Sequence, residues 1–136
     1  IIINMNIKSS QALVDEANKQ IKTLKADEVK ELSKKGDITL IDIRDIRELW
    51  NDGAIKDAIH IPRGMLEFWL DPQSSYFKEK KIGEVKNMVL FCALGMRSAL
   101  ATKSLKDMGF KNVSHVDGGF DALRKNGFEL IKKEKK

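Results

Sequence analysis

Val89-Leu90-Phe91-Cys92-Ala93-Leu94-Gly95-Met96-Arg97-Ser98 is the stretch that decides how this 136-residue chain folds. Val89-Leu90-Phe91 is a short apolar run of the kind that forms a strand buried on both faces. Residues 98–108 read as a helix. Between the two lies a tight loop that holds a thiol and an arginine. A strand, a loop and a helix start make an anion-binding geometry, because the first backbone N–H groups of a helix lack partners and carry partial positive charge. A thiol in that field is expected to be partly thiolate, and the thiolate is the nucleophile. Cys92 is therefore the candidate catalytic residue.

The same alternation continues on both sides. Residues 38–42, 58–61, 88–91 and 113–116 are apolar runs suited to strands, the second stopped by Pro62. Residues 9–24 place Leu13, Val14, Ala17, Ile21 and Leu24 at helical spacing, with Ser9 or Ser10 as the cap. Residues 26–35 repeat that pattern with Val29 and Leu32, ended by Gly36. Shorter helices are expected over 46–51, over 63–70 before Pro72, and from Gly118-Gly119 to Lys125. Strands alternating with helices imply a parallel sheet covered on both faces. In such sheets ligands bind beyond the carboxyl ends of the strands, which is where Cys92 falls.

Composition narrows the function classes. With 42% hydrophobic and 33% charged residues, the chain reads as one soluble globular domain. The net charge is +5, but Lys132-Lys133-Glu134-Lys135-Lys136 supplies +3 of it. The body is then too weakly basic to argue for nucleic acid, and the tail reads as a solvated helix end. A single cysteine excludes an internal disulfide and a resolving cysteine. His60 and His115 have no metal-ligand spacing, so no metal is expected. No apolar stretch approaches the roughly 20 residues that span a bilayer. Ile1-Ile2-Ile3 is too short for a signal-peptide core, and Met5 is a candidate start that leaves residues 1–4 foreign.

Several motifs in order resemble the rhodanese superfamily, specifically its small single-domain bacterial members. Leu40-Ile41-Asp42-Ile43-Arg44-Asp45 resembles the family's first signature, an apolar strand ending Asp-x-Arg. Gly53-Ala54-Ile55-Lys56-Asp57-Ala58-Ile59-His60-Ile61-Pro62 resembles the second, with Ala54 in place of the usual His and Asp57 in place of the usual Gly. The segment from Cys92 to Ser98 is similar to the active-site loop, and Val116-Asp117-Gly118-Gly119-Phe120 to the segment before the last helix. Residues 62–69 look like a subgroup hallmark. The match divides the chain into a helical lead (1–23), a rhodanese-like domain (24–127) and a basic tail (128–136).

The resemblance implies an α/β fold around a five-stranded parallel sheet with helices on both faces. It implies transfer of sulfane sulfur, from thiosulfate or a persulfide to cyanide or a thiol, through a persulfide on Cys92. No cofactor is expected. The partners would be small sulfur donors and acceptors, or a protein in either role, in the cytoplasm and without nucleic acid or membrane. The backbone of Ala93, Leu94, Gly95, Met96 and Arg97 would cradle the persulfide beside Ser98, with Gly95 permitting the curl. The Arg97 guanidinium would fork onto an anionic donor.

Other readings compete. Asp42 reads as a polar anchor at its strand end. Arg44 reads as structural, paired with an acidic neighbour such as Glu48. Arg63 lies on the same sheet edge as Cys92 and reads either as an anion contact or as half of a surface ion pair. His60 and His115 read as satisfied core histidines. Trp50, Phe68, Trp69 and Phe120 read as core, with Trp69 or Met65 as a possible pocket wall. A non-catalytic rhodanese-like binding module is one alternative function. A phosphatase or arsenate reductase of the related fold is another. Against it, four residues separate Cys92 from Arg97 where cysteine phosphatases use five, and Phe91 stands where they usually have His.

Overall fold

The computed structural model describes residues 6–82 and 87–135. In chain order the elements are α1 (Ser10–Asn18), β1 (Lys22–Leu24), α2 (Ala26–Lys34), β2 (Ile38–Asp42), α3 (Ile46–Asp52), β3 (Ala54–Ile55) and β4 (Ile59–His60). A 3-10 turn (Arg63–Met65) runs into α4 (Leu66–Leu70). Then come α5 (Glu79–Ile82), β5 (Asn87–Phe91), α6 (Met96–Met108), β6 (Val113–Val116), α7 (Gly119–Lys125) and β7 (Leu130–Ile131). The question of residues 1–4 and Met5 lies outside the described residues.

The main sheet has five strands in the order β1-β6-β5-β2-β4, every neighbouring pair parallel. This is the expected α/β architecture. The central strand β5 is buried on both faces, and its alternation sorts the core. Met88, Leu90 and Cys92 pack with Ile41, Leu66 and Leu105 on one face. Val89 and Phe91 pack with Leu24, Leu40, Phe120 and Leu123 on the other. Each fully buried side chain of this size contributes about 1.5–3 kcal/mol. The period of two therefore commits Cys92 to the face that α6 covers.

Several expectations are corrected. The first helix stops at Asn18, not at residue 24. Ser9 caps it as expected, its hydroxyl accepting the Ala12 N–H at 3.0 Å. Ile21 and Leu24 do continue the helical spacing, but Lys22–Leu24 instead adds an edge strand to β6, in register Thr23↔His115. Open backbone groups on β6 outweigh a weak local preference. The tail is not a helix end either. Leu130–Ile131 pairs antiparallel with β3, and α5 was not foreseen. Phe68 is 51% exposed and meets Tyr76 edge-on, with ring centroids 6.2 Å apart, rather than joining the core.

The unusual Asp57 takes φ +69, and the Ala58 N–H closes the turn on the Ile55 carbonyl at 3.2 Å. Aspartate is one of the few residues besides glycine that adopts this conformation readily, so the turn survives the substitution. Among the described residues, no helix is long and apolar enough to cross a membrane. None of their His, Cys, Asp and Glu side chains form a group placed to hold a metal.

Candidate active site

Cys92 follows β5 directly and is buried. The chain then turns through Ala93 and Leu94 to Gly95, which caps α6 at φ +112, a conformation that costs a side-chain-bearing residue. That turn returns the start of α6 to the sulfur. The Gly95 N–H donates to Sγ at 3.1 Å and the Ser98 N–H donates at 3.3 Å. Of the expected donors Ala93 to Arg97, Gly95 is the one that reaches Sγ, and the second donor is Ser98, one residue beyond that span. The helix start adds a field equivalent to roughly half a positive charge. Leu94 is 67% exposed and Met96 47%, so the rim of the loop is apolar.

A second glycine turn braces this loop from below. The Phe120 N–H donates to the Cys92 carbonyl at 2.8 Å, and the Asp121 N–H to the Ala93 carbonyl at 3.3 Å. Gly119 lies so close that a Cβ there would sit 2.5 Å from the Cys92 carbonyl oxygen. The segment Asp117-Gly118-Gly119-Phe120 is therefore the floor of the loop. Phe120 in turn lies under the Arg44 guanidinium, 3.9 Å from its ring centroid.

The charge pairing differs from the sequence expectation. Arg44 is buried and binds Asp42, not Glu48, with Nη2 to Oδ2 at 2.8 Å and Nε to Oδ1 at 3.1 Å. It also donates to the Gly53 carbonyl at 2.9 Å. Asp42 accepts the Arg44 backbone N–H at 3.0 Å, which makes it the anchor expected at the end of β2. Glu48 instead takes Arg97 in a two-pronged contact at 2.7 and 3.0 Å. Residues 44 and 97 compete for one carboxylate, and spacing along the chain favours the wrong one. Arg63 is held by Glu67 at 2.8 Å, and Ser104 also donates to that carboxylate at 2.6 Å. Trp69 does not wall the loop but lines a separate cavity with Phe77 and Lys78.

Arg97 therefore does not present a bare cation to the loop. Its hydrogen bonds hold the Glu48 carboxyl below its ordinary value of 4.5, and Glu48 in turn raises Arg97. Because Glu48 is depressed in the folded state, the pairing is fully present above the ordinary carboxylate value and is lost as pH falls through the depressed one. The pair is partly exposed, 43% for Arg97 and 29% for Glu48, so its worth at neutral pH is about 1 kcal/mol or less. Glu48→Gln is expected to lose that amount in denaturant unfolding at neutral pH. The difference from the unsubstituted protein should vanish in acid.

The sequence also missed what surrounds Ser98. Its hydroxyl lies 3.6 Å from Sγ and 2.9 Å from Nδ1 of His115, a buried residue of β6. His115 Nε2 meets Asn18 Oδ1 at 3.1 Å and Thr23 Oγ1 at 3.0 Å. These residues come from α1, β1, α6 and β6, so no local spacing could reveal the contact. His60 is satisfied as expected, Nε2 donating to the Arg44 carbonyl at 2.7 Å.

Residues 25–126 match the rhodanese-like domain family. The chain belongs to that family. A rhodanese chain of this kind is 40% identical over 96 residues to a tRNA uridine(34) hydroxylase of Hamiltonella defensa, a match covering 71% of this chain but only 26% of that protein. Among solved structures, a Rhodopseudomonas palustris protein of unknown function, described as a possible tyrosine phosphatase, aligns with TM-score 0.87 and 44% identity over 96% of this chain and all of that one. The polysulfide-sulfur transferase homodimer of Wolinella succinogenes aligns with TM-score 0.69 and 33% identity, covering 90% of this chain and 87% of that one.

Proposed function

We propose that this rhodanese-like domain is a sulfurtransferase that carries sulfane sulfur as a persulfide on Cys92. The observation that carries this reading is the paired donation of the Gly95 and Ser98 N–H groups to Sγ at a helix start. In the loading step a lone pair of the Cys92 thiolate attacks the outer sulfur of a donor R–S–S–H. The new S–S bond forms, the donor S–S bond breaks, and its electron pair leaves on RS⁻, which takes a proton. Cys92 sulfur is oxidised and the donor's inner sulfur is reduced by the same amount. An acceptor thiolate then attacks the outer sulfur of the persulfide and releases Cys92 as thiolate.

The donor class follows from the charges. With Arg97 neutralised by Glu48 and the rim formed by Leu94 and Met96, the loop offers little to doubly charged thiosulfate. An organic persulfide, whose reacting sulfur pair carries at most one negative charge, suits it better. The hydroxylase activity of the tRNA-modifying relative is not carried over, because the match covers about a quarter of that protein.

Phosphatase chemistry is the second reading, favoured by the name of the Rhodopseudomonas neighbour. The short loop opposes it. Four residues between Cys92 and Arg97 leave a small ring of donors, and the arginine that would clamp a tetrahedral anion is held by Glu48. The deciding experiment offers the protein glutathione persulfide, inorganic polysulfide, thiosulfate and an aryl phosphate. Intact mass should show one added sulfur, mapped to Cys92, faster with glutathione persulfide than with the dianionic polysulfide and thiosulfate. Glu48→Gln should raise loading from thiosulfate severalfold relative to the persulfide. Phosphate ester hydrolysis that matches sulfur loading in rate and depends on Cys92 overturns the reading.

A further inference from the structure

We propose that Ser98 and His115 form a proton relay that takes the Cys92 proton during sulfur loading and returns it on release, a role that rests on the sulfurtransferase reading. The hydrogen bonds allow one consistent set of proton positions. The Asn18 amide oxygen only accepts, so His115 Nε2 carries the proton, shared with the Thr23 hydroxyl oxygen at 3.0 Å, and Nδ1 is left as an acceptor. The Ser98 hydroxyl must then donate to Nδ1, which leaves its oxygen free to accept the Cys92 thiol. The chain from thiol to hydroxyl to imidazole thus points in one direction.

The step balances without an external base. The S–H bond breaks and its pair stays on Sγ. Ser98 accepts that proton and passes its own to Nδ1, giving a thiolate and an imidazolium separated by a neutral hydroxyl. The Gly95 and Ser98 N–H groups receive the new thiolate. On release, when Cys92 leaves as thiolate, the proton returns by the same path. His115 is a positioning residue here, acting on the sulfur through Ser98.

The surroundings suit a base that stays neutral at rest. Burial pushes the imidazole below its ordinary value of 6.5, opposed only by the charge of Asp117. That carboxylate is itself paired with Lys25 at 2.9 Å. Arg97, next to Ser98 on α6, is neutralised by Glu48. The elements packed on His115 otherwise present Asn18 and Val14 from α1, Thr23 from β1 and Leu90 from β5, none of them ionisable. A cavity of about 290 Å³ is lined by His115, Asn18, Thr23 and Asp117 together with the loop residues Leu94 and Met96. The bond to Ser98 also satisfies a buried ring nitrogen, so the pH readout is what separates the relay from a structural role.

The test compares the full-length protein with His115→Gln, Ser98→Ala and the double variant. Cys92 alkylation by iodoacetamide and loading by glutathione persulfide are each followed across pH. Each single variant should slow both reactions about tenfold or more. The double variant should be no slower than the worse single one, because the two residues act as one unit. Loss of the thiolate slows both reactions in acid in every form, and the unsubstituted protein should show a second, steeper limb as His115 protonates below its ordinary range, since Nδ1 can then no longer accept. Both single variants should lack that second limb, a loss that a space-filling role would not produce. Cooperative thermal unfolding establishes that each variant is folded. If His115→Gln fails to fold, Ser98→Ala decides: retention of the second limb overturns the relay and its loss supports it. Unchanged rates and profile in folded His115→Gln, or additive losses in the double variant, also overturn it. Alkylation needs no sulfur donor, so the two claims separate. A relay signature without sulfur loading removes the sulfurtransferase reading, and loading that is blind to both substitutions removes the relay.

Discussion

Cys92→Ser is expected to abolish sulfur loading while leaving the fold in place. The replacement keeps the shape of a small buried side chain, and its hydroxyl oxygen can still accept from Gly95 and Ser98. The packing against Leu90, Ala101 and Leu105 is retained except for the smaller atom. The chemistry is not retained. A serine hydroxyl is a far weaker acid than a thiol, and the helix-start field is too small to ionise it at neutral pH. Oxygen also forms no stable bond to sulfane sulfur of the kind a persulfide requires. The transfer rate should fall about a thousandfold or more, to the uncatalysed background. Intact mass should show no added sulfur with any donor. Because the chain has one cysteine, no second thiol can conceal the loss. Donor-dependent transfer by a folded Ser variant would mean that the sulfur is carried elsewhere or not covalently.

Arg44→Met should produce the largest loss of stability, about 3–5 kcal/mol, because it leaves a buried carboxylate unpaired. The side chains of Arg44 and Asp42 are only 1% and 2% exposed, so water cannot replace the guanidinium. Asp42 would keep one backbone hydrogen bond, and the Gly53 carbonyl would lose its partner. Against a typical total stability of about 5–15 kcal/mol, this is enough to unfold a large fraction of the protein near physiological temperature. Denaturant unfolding measures it directly. The double substitution Asp42→Asn with Arg44→Met should recover part of the loss, because the penalty lies in the orphaned charge rather than in the missing contact. A single-variant loss under about 1 kcal/mol would mean that the pair is solvated in solution. The effect should also reach the active loop. Asp42 is in register with Phe91, the residue before Cys92, and Arg44 rests on Phe120, whose N–H holds the Cys92 carbonyl.

Much of this protein was legible along the chain. Four strands of the main sheet, the α6 start, the Gly95 turn and the placing of the thiol beside a helix start follow from short apolar runs, glycine positions and one thiol after a strand. These signals act over a few residues: alternation selects a strand, a glycine allows a left-handed turn, and a helix start exposes its N–H groups. What was missed or misassigned shares a different cause. The edge strand β1 reads as helix until β6 offers it backbone partners. β7 reads as tail until β3 pairs with it. Glu48 lies four residues from Arg44 but binds Arg97, which is 49 residues away. His115 meets Ser98, Thr23 and Asn18 from three other elements. The amino-acid sequence by itself determined the layered α/β architecture and the place of the one thiol at the carboxyl end of its central strand. Tertiary structure alone decided which charge neutralises the loop's arginine and which hydroxyl and imidazole stand behind the thiol. A buried apolar strand or a glycine turn is marked within its own span, whereas an edge strand, an ion pair or a hydrogen-bond chain between elements exists only after the sheet has set their ends side by side.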